Sequence, residues 1–298
     1  ACFCGLLSSS NGHDGLVSSE LLRRADVSMY VSKRGGKMRC TWYKPDFDRN
    51  LEALRDLDSE MRTALLKEEF KVHDQPLVDA QSGKVVAVES LIRWNRPDGT
   101  PIGPNVFIPV AEEIRLIQEL DKWVLRNACR TVKSWSADGV PRVKLAANLS
   151  PLLVEQNDFV ESVLTILEEE NFPADMLELE ITENVLLKDM DHITDKFHML
   201  SAAGVHIALD DFGTGYSSLS SLKKFPLDRL KIDRSFVQDL GQDANADAII
   251  AAIMALAKTL GLGVIAEGVE TQQQVKALLI LKVEKTQSFS ARPQLSYL

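Results

Sequence analysis

The chain has 298 residues, 45% of them apolar and 26% charged, which suits one large soluble domain and a smaller piece. A formal net charge of −9 argues against a DNA-binding surface or an anionic-membrane surface. It leaves room for one anionic ligand held through cations, because a bound cation reverses the local field. No apolar run reaches the ~20 residues of a membrane helix, so no direct membrane insertion is expected. Cys2, Cys4, Cys40 and Cys129 match neither zinc nor disulfide spacing. They read as free thiols in a reducing, cytoplasmic setting. The chain starts at alanine and is read as a piece of something longer.

In chain order, residues 1–45 read as a small strand, a polar loop and a helix. Leu21, Leu22, Ala25 and Met29 follow helical spacing. Lys33 and Arg34 fall in the last turn and Gly35-Gly36 end it. Residues 46–68 form a charged linker helix, with Leu51, Leu54, Leu57, Met61 and Leu65 on one face. From 69 to 298 short β-rich runs alternate with helical stretches. The spacing predicts strands over 70–78, 85–94, 143–149, 176–182, 205–210, 229–232 and 263–266. Helices are predicted over 107–120, 123–137, 158–170, 193–203 and 246–260. Seven or eight βα units suggest a closed barrel. The first two strands are joined by a link of hairpin length holding Ser82-Gly83, so they should be antiparallel. The expected fold class is α/β: a TIM-like (β/α)8 barrel with one antiparallel strand, plus a small N-terminal α/β remnant.

Chemistry in such a barrel collects at the C-terminal strand ends. The predicted strands deliver Glu89 and Arg93, then Asn148, then Glu180 and Glu183, then Asp210 with Asp211, then Lys231 and Asp233, and finally Glu267. Strand parity puts Glu89 on a face with Ala87, Asn148 with Ala146, and Asp210 with Ala208, small residues suited to a barrel interior. Val86, Val88, Leu145, Ile207 and Leu209 should pack under the helices. Several carboxylates at one mouth need counter-charge. Oxygen donors without paired His or Cys favour Mg²⁺ or Mn²⁺, and adjacent Asp210 and Asp211 suit a bridged pair of ions for phosphate-ester hydrolysis. Lys231 is expected to hold or deprotonate the attacking water, with burial and nearby cations favouring its neutral form. Each residue alone has a plain reading. Glu178 pairs with a base, Lys231 serves a carboxylate, and Asn148 caps a turn before Ser150-Pro151. Their joint placement at successive strand ends carries the functional reading.

These residues resemble the EAL-domain family of cyclic-di-GMP phosphodiesterases over roughly residues 50–285. The matches are Gln75-Pro76, Glu89-Ser90-Leu91-Ile92-Arg93-Trp94, Phe107-Ile108-Pro109-Val110-Ala111-Glu112, Asn148-Leu149-Ser150, Glu178 to Glu183, Asp210 to Leu219, Leu230-Lys231-Ile232-Asp233 and Ala266-Glu267-Gly268-Val269-Glu270. The resemblance implies hydrolysis of cyclic-di-GMP to linear pGpG with two Mg²⁺ or Mn²⁺ ions. It implies that Glu89, Asn148, Glu180 and Asp210 hold one ion, and Asp210, Asp211 and Glu267 the second. Lys231, Glu267 and Asp211 would be catalytic. Gln75, Leu91, Arg93 and Gln287 would meet substrate. Glu183, Asp233 and Glu270 would support loops, Glu183 bracing the one after Asp211. It also implies a homodimer through the fifth and sixth βα segments. Residues 1–45 resemble the end of a GGDEF domain, through Leu21-Leu22-Arg23-Arg24-Ala25-Asp26-Val27-Ser28-Met29-Tyr30; the motif that names that domain is absent.

Two departures stand out. The name-giving triplet is Glu89-Ser90-Leu91, with Ser90 pointing away from the metal face by parity. Near the C-terminus, Thr286-Gln287-Ser288-Phe289-Ser290-Ala291-Arg292-Pro293 lacks a glycine, and its spacing is one short. A one-residue slip there turns every side chain of the eighth strand to the wrong face and opens the barrel. The competing function is a degenerate domain that binds cyclic-di-GMP as a receptor without cutting it.

Overall fold

The computed structural model describes residues 18–34, 41–44, 46–137, 141–187, 190–213, 219–281, 283 and 285–287. The chain divides into two compact units, Ala1–Lys67 and Glu68–Leu298. The first holds helices α1 (Ser18–Arg34) and α2 (Asp46–Leu66). Glu20, in the first turn of α1, pairs at 2.8 Å with both Arg23 and Arg24. The Arg24 guanidinium lies 4.8 Å from the centroid of the Tyr43 ring. The opening strand expected within 1–17, the Gly35-Gly36 stop, and Cys2, Cys4 and Cys40 lie outside the described residues. Cys129 is a buried free thiol, and burial pushes it up to about 12.

The second unit contains strands β1 (Phe70–Asp79), β2 (Val85–Asn95), β3 (Pro101–Ile102), β4 (Lys144–Asn148), β5 (Leu177–Thr182), β6 (His206–Phe212), β7 (Arg229–Ile232), β8 (Gly263–Ala266) and β9 (Lys285–Gln287). Its helices are α3 (Pro104–Glu113), α4 (Ile117–Ala137), α5 (Pro151–Val154), α6 (Phe159–Glu169), α7 (Met190–Ala202), α8 (Leu219–Lys224), α9 (Arg234–Val237), α10 (Ala244–Leu260) and α11 (Gln272–Ile280). The strand order β1-β9-β8-β7-β6-β5-β4-β2 is closed by a β1–β2 pairing, and β3 extends β2. β1 is antiparallel to both neighbours, whereas the other ring pairings are parallel. The expected barrel with one reversed strand is therefore present.

The reversal follows from the turn chemistry. Asp79 Oδ1 accepts hydrogen bonds from the Ser82 N–H (2.7 Å) and hydroxyl (2.6 Å), and Gly83 takes a φ of 66°. The two sides of the sheet carry different layers. Val88, Leu145, Leu179, Ile207, Leu209, Leu230 and Val264 pack with the helices in the large outer core. Leu77, Ala87 and Ile265 form a small inner cluster.

Two expectations need correction. The helix expected over 107–120 ends at Glu113, and α4 starts at Ile117 instead of 123. The break sits at Arg115, whose φ is 59°. A left-handed arginine carries a backbone cost and leaves no glycine in the sequence to mark the stop. The altered C-terminal run also does not open the barrel. Leu77 pairs with Gln287 on one side of β9, and Ala266 pairs with Thr286 on the other. Both hydrogen-bonding edges of β9 are thus used, and register is set by two partners.

Candidate active site

The strand ends converge on Lys231. This side chain is fully buried. Its Nζ lies 2.6 Å from Glu180, 2.7 Å from Glu267, 3.3 Å from Asp210 and 3.4 Å from Glu89. One ammonium therefore faces four carboxylates drawn from β2, β5, β6 and the segment just after β8. Register explains the meeting. Asn148 is level with Glu180, Lys231 with Ile265, and Gln75 stands opposite Glu89.

Glu89 is the best-connected member. It accepts from Asn148 Nδ2 at 2.6 Å and from Gln287 Nε2 at 2.5 Å, besides facing Lys231. Burial alone would raise its pKa; Lys231, Gln287 and Asn148 outweigh that and hold the carboxyl below its usual range. Burial raises Glu180 well above that range despite Lys231, and pushes Glu267 up to about 7. Burial would also push the Lys231 ammonium down. The charges of Glu180, Glu89, Asp210 and Glu267 win, and hold it well above the ordinary lysine range. The neutral form expected for Lys231 is one beside bound cations; in the ion-free carboxylate cage the acids outnumber the base, and Lys231 is a donor.

The backbone is irregular where Asp210 meets Asp211. A regular strand would send adjacent side chains to opposite faces. The β6–β7 register shifts between Leu209 and Phe212, and Asp211 adopts a φ of 54°. Asp tolerates this left-handed region better than most residues. Burial and the neighbouring charges of Asp210 and Asp233 raise the Asp211 carboxyl.

The loop that follows is pinned at its start. Glu183 Oε1 accepts the Gly213 N–H at 2.7 Å. Gly213 has a φ of 101°, and a β-carbon there would come within 2.8 Å of the Phe236 ring. Residues 214–218, the rest of that hydroxyl-rich loop, lie outside the described residues.

The other expected residues fall in several places. Arg93 and Leu91 continue along β2 and are part-buried. Arg93 is four residues past Glu89, about 13 Å nearer the rim. Its Nη1 donates to the Ile92 carbonyl at 2.9 Å. Asp233 caps α9 by accepting from the Ser235 N–H at 3.0 Å. Glu270 pairs with Arg234 at 2.8 Å on the surface, outside the cage. Glu178 takes the plain reading and pairs with Arg229. Sequence reasoning missed one partner of the variant triplet: Ser90 Oγ donates to Asp74 Oδ1 at 2.5 Å, away from Glu89. The facing positions on paired strands were the signal that could have found it.

The donor set suits a hard divalent cation. It comprises carboxylates and an amide, and Glu180 Oε1 is buried without a hydrogen-bond partner. Among the described residues no three His, Cys, Asp or Glu are already gathered in metal-holding geometry. The acids close on the ammonium instead, and their surplus charge is what a cation would neutralise.

The EAL domain family model matches residues 58–289. The chain belongs to the EAL domain family. Among relatives of this EAL domain is the bifunctional diguanylate cyclase/cyclic di-GMP phosphodiesterase MucR of Pseudomonas aeruginosa, 38% identical over 276 residues, or 93% of this chain and 40% of that protein. The cyclic di-GMP phosphodiesterase NbdA of the same organism is 37% identical over 266 residues, covering 89% of this chain and 34% of NbdA. The EAL chain thus spans well under half the length of these relatives. The solved structure of the PaMucR phosphodiesterase in complex with c-di-GMP superposes with a TM-score of 0.75 at 40% identity, covering 78% of this chain and 95% of that one. No described helix of the EAL chain is long and apolar enough to cross a membrane.

Proposed function

We propose that this EAL domain hydrolyses cyclic-di-GMP to linear pGpG, as part of a longer signalling protein. The observation that carries the reading is the cage of Glu89, Glu180, Asp210 and Glu267 around Lys231 at the strand ends. In the proposed reaction a water oxygen bonds to phosphorus, the P–O3′ bond breaks, and the 3′ oxygen leaves with a proton. Glu89, Asn148, Glu180 and Asp210 hold one Mg²⁺ or Mn²⁺, and Asp210, Asp211 and Glu267 a second. When bound, such a pair polarises the phosphate and lowers the pKa of water. Lys231 donates to the incoming water and holds the acids together. Glu267 lies beside Lys231 and is placed to take a proton from that water. Arg93 meets a substrate phosphate at the rim, where its charge is opposite in sign. Gln75, Leu91 and Gln287 line the ligand.

In the same reading, Glu183 couples the loop after Asp211 to ion binding, and Asp233 and Glu270 steady the neighbouring segments. Residues 1–45 are the end of a GGDEF domain, 46–68 a linker helix and 69–298 the EAL domain. The protein works in the cytoplasm and pairs as a homodimer through its fifth and sixth βα segments, which sedimentation would test. Incubation with cyclic-di-GMP and Mg²⁺, followed by separation of products, tests the activity. Appearance of pGpG supports the enzyme. Tight binding with no product would make the domain a receptor and overturn the proposal.

A further inference from the structure

The segment that carries Asn148 into the cage is gripped by one face of α4. Gln118, Asp121 and Lys122 occupy positions three and four apart, so they share that face. Asp121 Oδ2 accepts the Ser150 N–H at 3.0 Å. Gln118 Nε2 donates to the Leu152 carbonyl at 3.0 Å, and Gln118 Oε1 accepts from Gln156 Nε2 at 2.7 Å. Lys122 reaches Asp158 at 3.3 Å. From below, buried Lys196 donates to the carbonyls of Val154 (2.9 Å) and Gln156 (2.8 Å). The backbone leaving Asn148 is therefore fixed within two residues. Leu149 N–H donates to the Glu180 carbonyl at 2.9 Å, and Ser150 N–H donates to Asp121.

We propose that Asp121 is a positioning residue for Asn148, holding its amide at the cage through the Ser150 N–H. This rests on the reading of Asn148 as an ion ligand. Ser150 is buried; its hydroxyl caps α5 by accepting the Leu153 N–H at 3.2 Å and also bonds the Asp121 carboxyl. No other hydrogen bond is described for the Ser150 N–H. Losing Asp121 orphans that donor and loosens the turn immediately after Asn148. Burial pushes the Asp121 carboxyl up to about 7, only partly opposed by Ser150, so an amide is a fair mimic of it near neutral pH. Outer-shell partners of a metal ligand are typically worth about 10–100-fold in metal affinity.

The test is Mn²⁺ titration of the full chain, followed by the electron-paramagnetic-resonance signal of free Mn²⁺, with kcat and KM for cyclic-di-GMP at saturating Mn²⁺. Asp121→Ala should weaken Mn²⁺ binding by about tenfold or more while kcat at saturation stays within a few-fold of wild type. Asp121→Asn should restore wild-type binding, because the amide oxygen still accepts. Asp121→Glu keeps the carboxyl and misplaces it, and should bind Mn²⁺ several-fold more weakly even if the alanine variant fails to fold. Wild-type Mn²⁺ affinity in the Ala or Glu variant would overturn the positioning role and leave the enzymatic reading standing. A wild-type chain that binds no Mn²⁺ would overturn both.

Discussion

Removing divalent ions and raising the pH should together destabilise the barrel. Burial holds Glu180 well above the ordinary carboxylate range and Glu267 at about 7. A carboxyl raised in the folded state contributes stability that is fully present below its unfolded pKa and lost as pH climbs through the folded value. Glu89 is held low, so its contribution is already complete above about pH 5. Lys231 is held high, so its contribution is constant below about pH 10. Between about pH 5 and about pH 8 the raised acids set the slope: Glu267 at the ion site and, away from it, Asp121, which burial also pushes up to about 7. The rise of Glu267 from 4.5 to about 7 is worth roughly 3 kcal/mol, at about 1.4 kcal/mol for each pH unit. For a domain of this size that lowers the melting temperature by about 6–12 °C. Mg²⁺ or Mn²⁺ should restore the part of the loss that comes from Glu267 at the alkaline end and do little at the acid end, where the acids are already neutral. Scanning calorimetry of chelator-treated protein across this range, with and without millimolar Mg²⁺, measures it. A metal-free melting temperature that stays flat or rises with pH would refute the reasoning, as would equal stabilisation by Mg²⁺ at both ends.

Glu89→Ala and Lys231→Ala should each cut turnover by about 10²–10³-fold or more while far-UV circular dichroism in Mg²⁺ shows a retained barrel; near-wild-type rates in either variant would remove that residue from the chemistry. Arg229→Met leaves the buried Glu178 carboxylate without its partner, so denaturant unfolding should show a loss of about 3–5 kcal/mol with kcat per folded molecule unchanged. Ser90→Ala strips the part-buried Asp74 of its hydroxyl donor and should cost about 1–2 kcal/mol by the same assay, again without an effect on kcat. A fall in kcat with unchanged stability in the Ser90 variant would mean that the triplet's middle residue reaches the site after all.

The barrel was legible because its signals are local. The valine-rich run 85–95 and the alternating run 177–182 announce strands, and the Ser82-Gly83 turn announces the one reversal. The cage was legible because parity and strand ends place Glu89, Glu180, Asp210 and Lys231 on one side, whatever the details of the helices. What stayed hidden depends on the backbone departing from its regular period. Arg115 takes a left-handed turn that no glycine advertises, so Asp121 seemed to lie between helices when it lies within α4. The left-handed backbone at Asp211 and the register shift of β6 were likewise unannounced, because a two-residue period assumes a regular pleat. The altered C-terminal run looked like a slip of register. Pairing of β9 with both β1 and β8 supplies information that no short motif contains.

The most direct measurement is turnover of cyclic-di-GMP with Mg²⁺ in water enriched in oxygen-18. A single solvent oxygen is expected in the 5′-phosphate of pGpG for each bond cut, with loss of that product in Lys231→Ala. Recovery of unlabelled, uncut cyclic-di-GMP after prolonged incubation with folded, ion-loaded protein would contradict it.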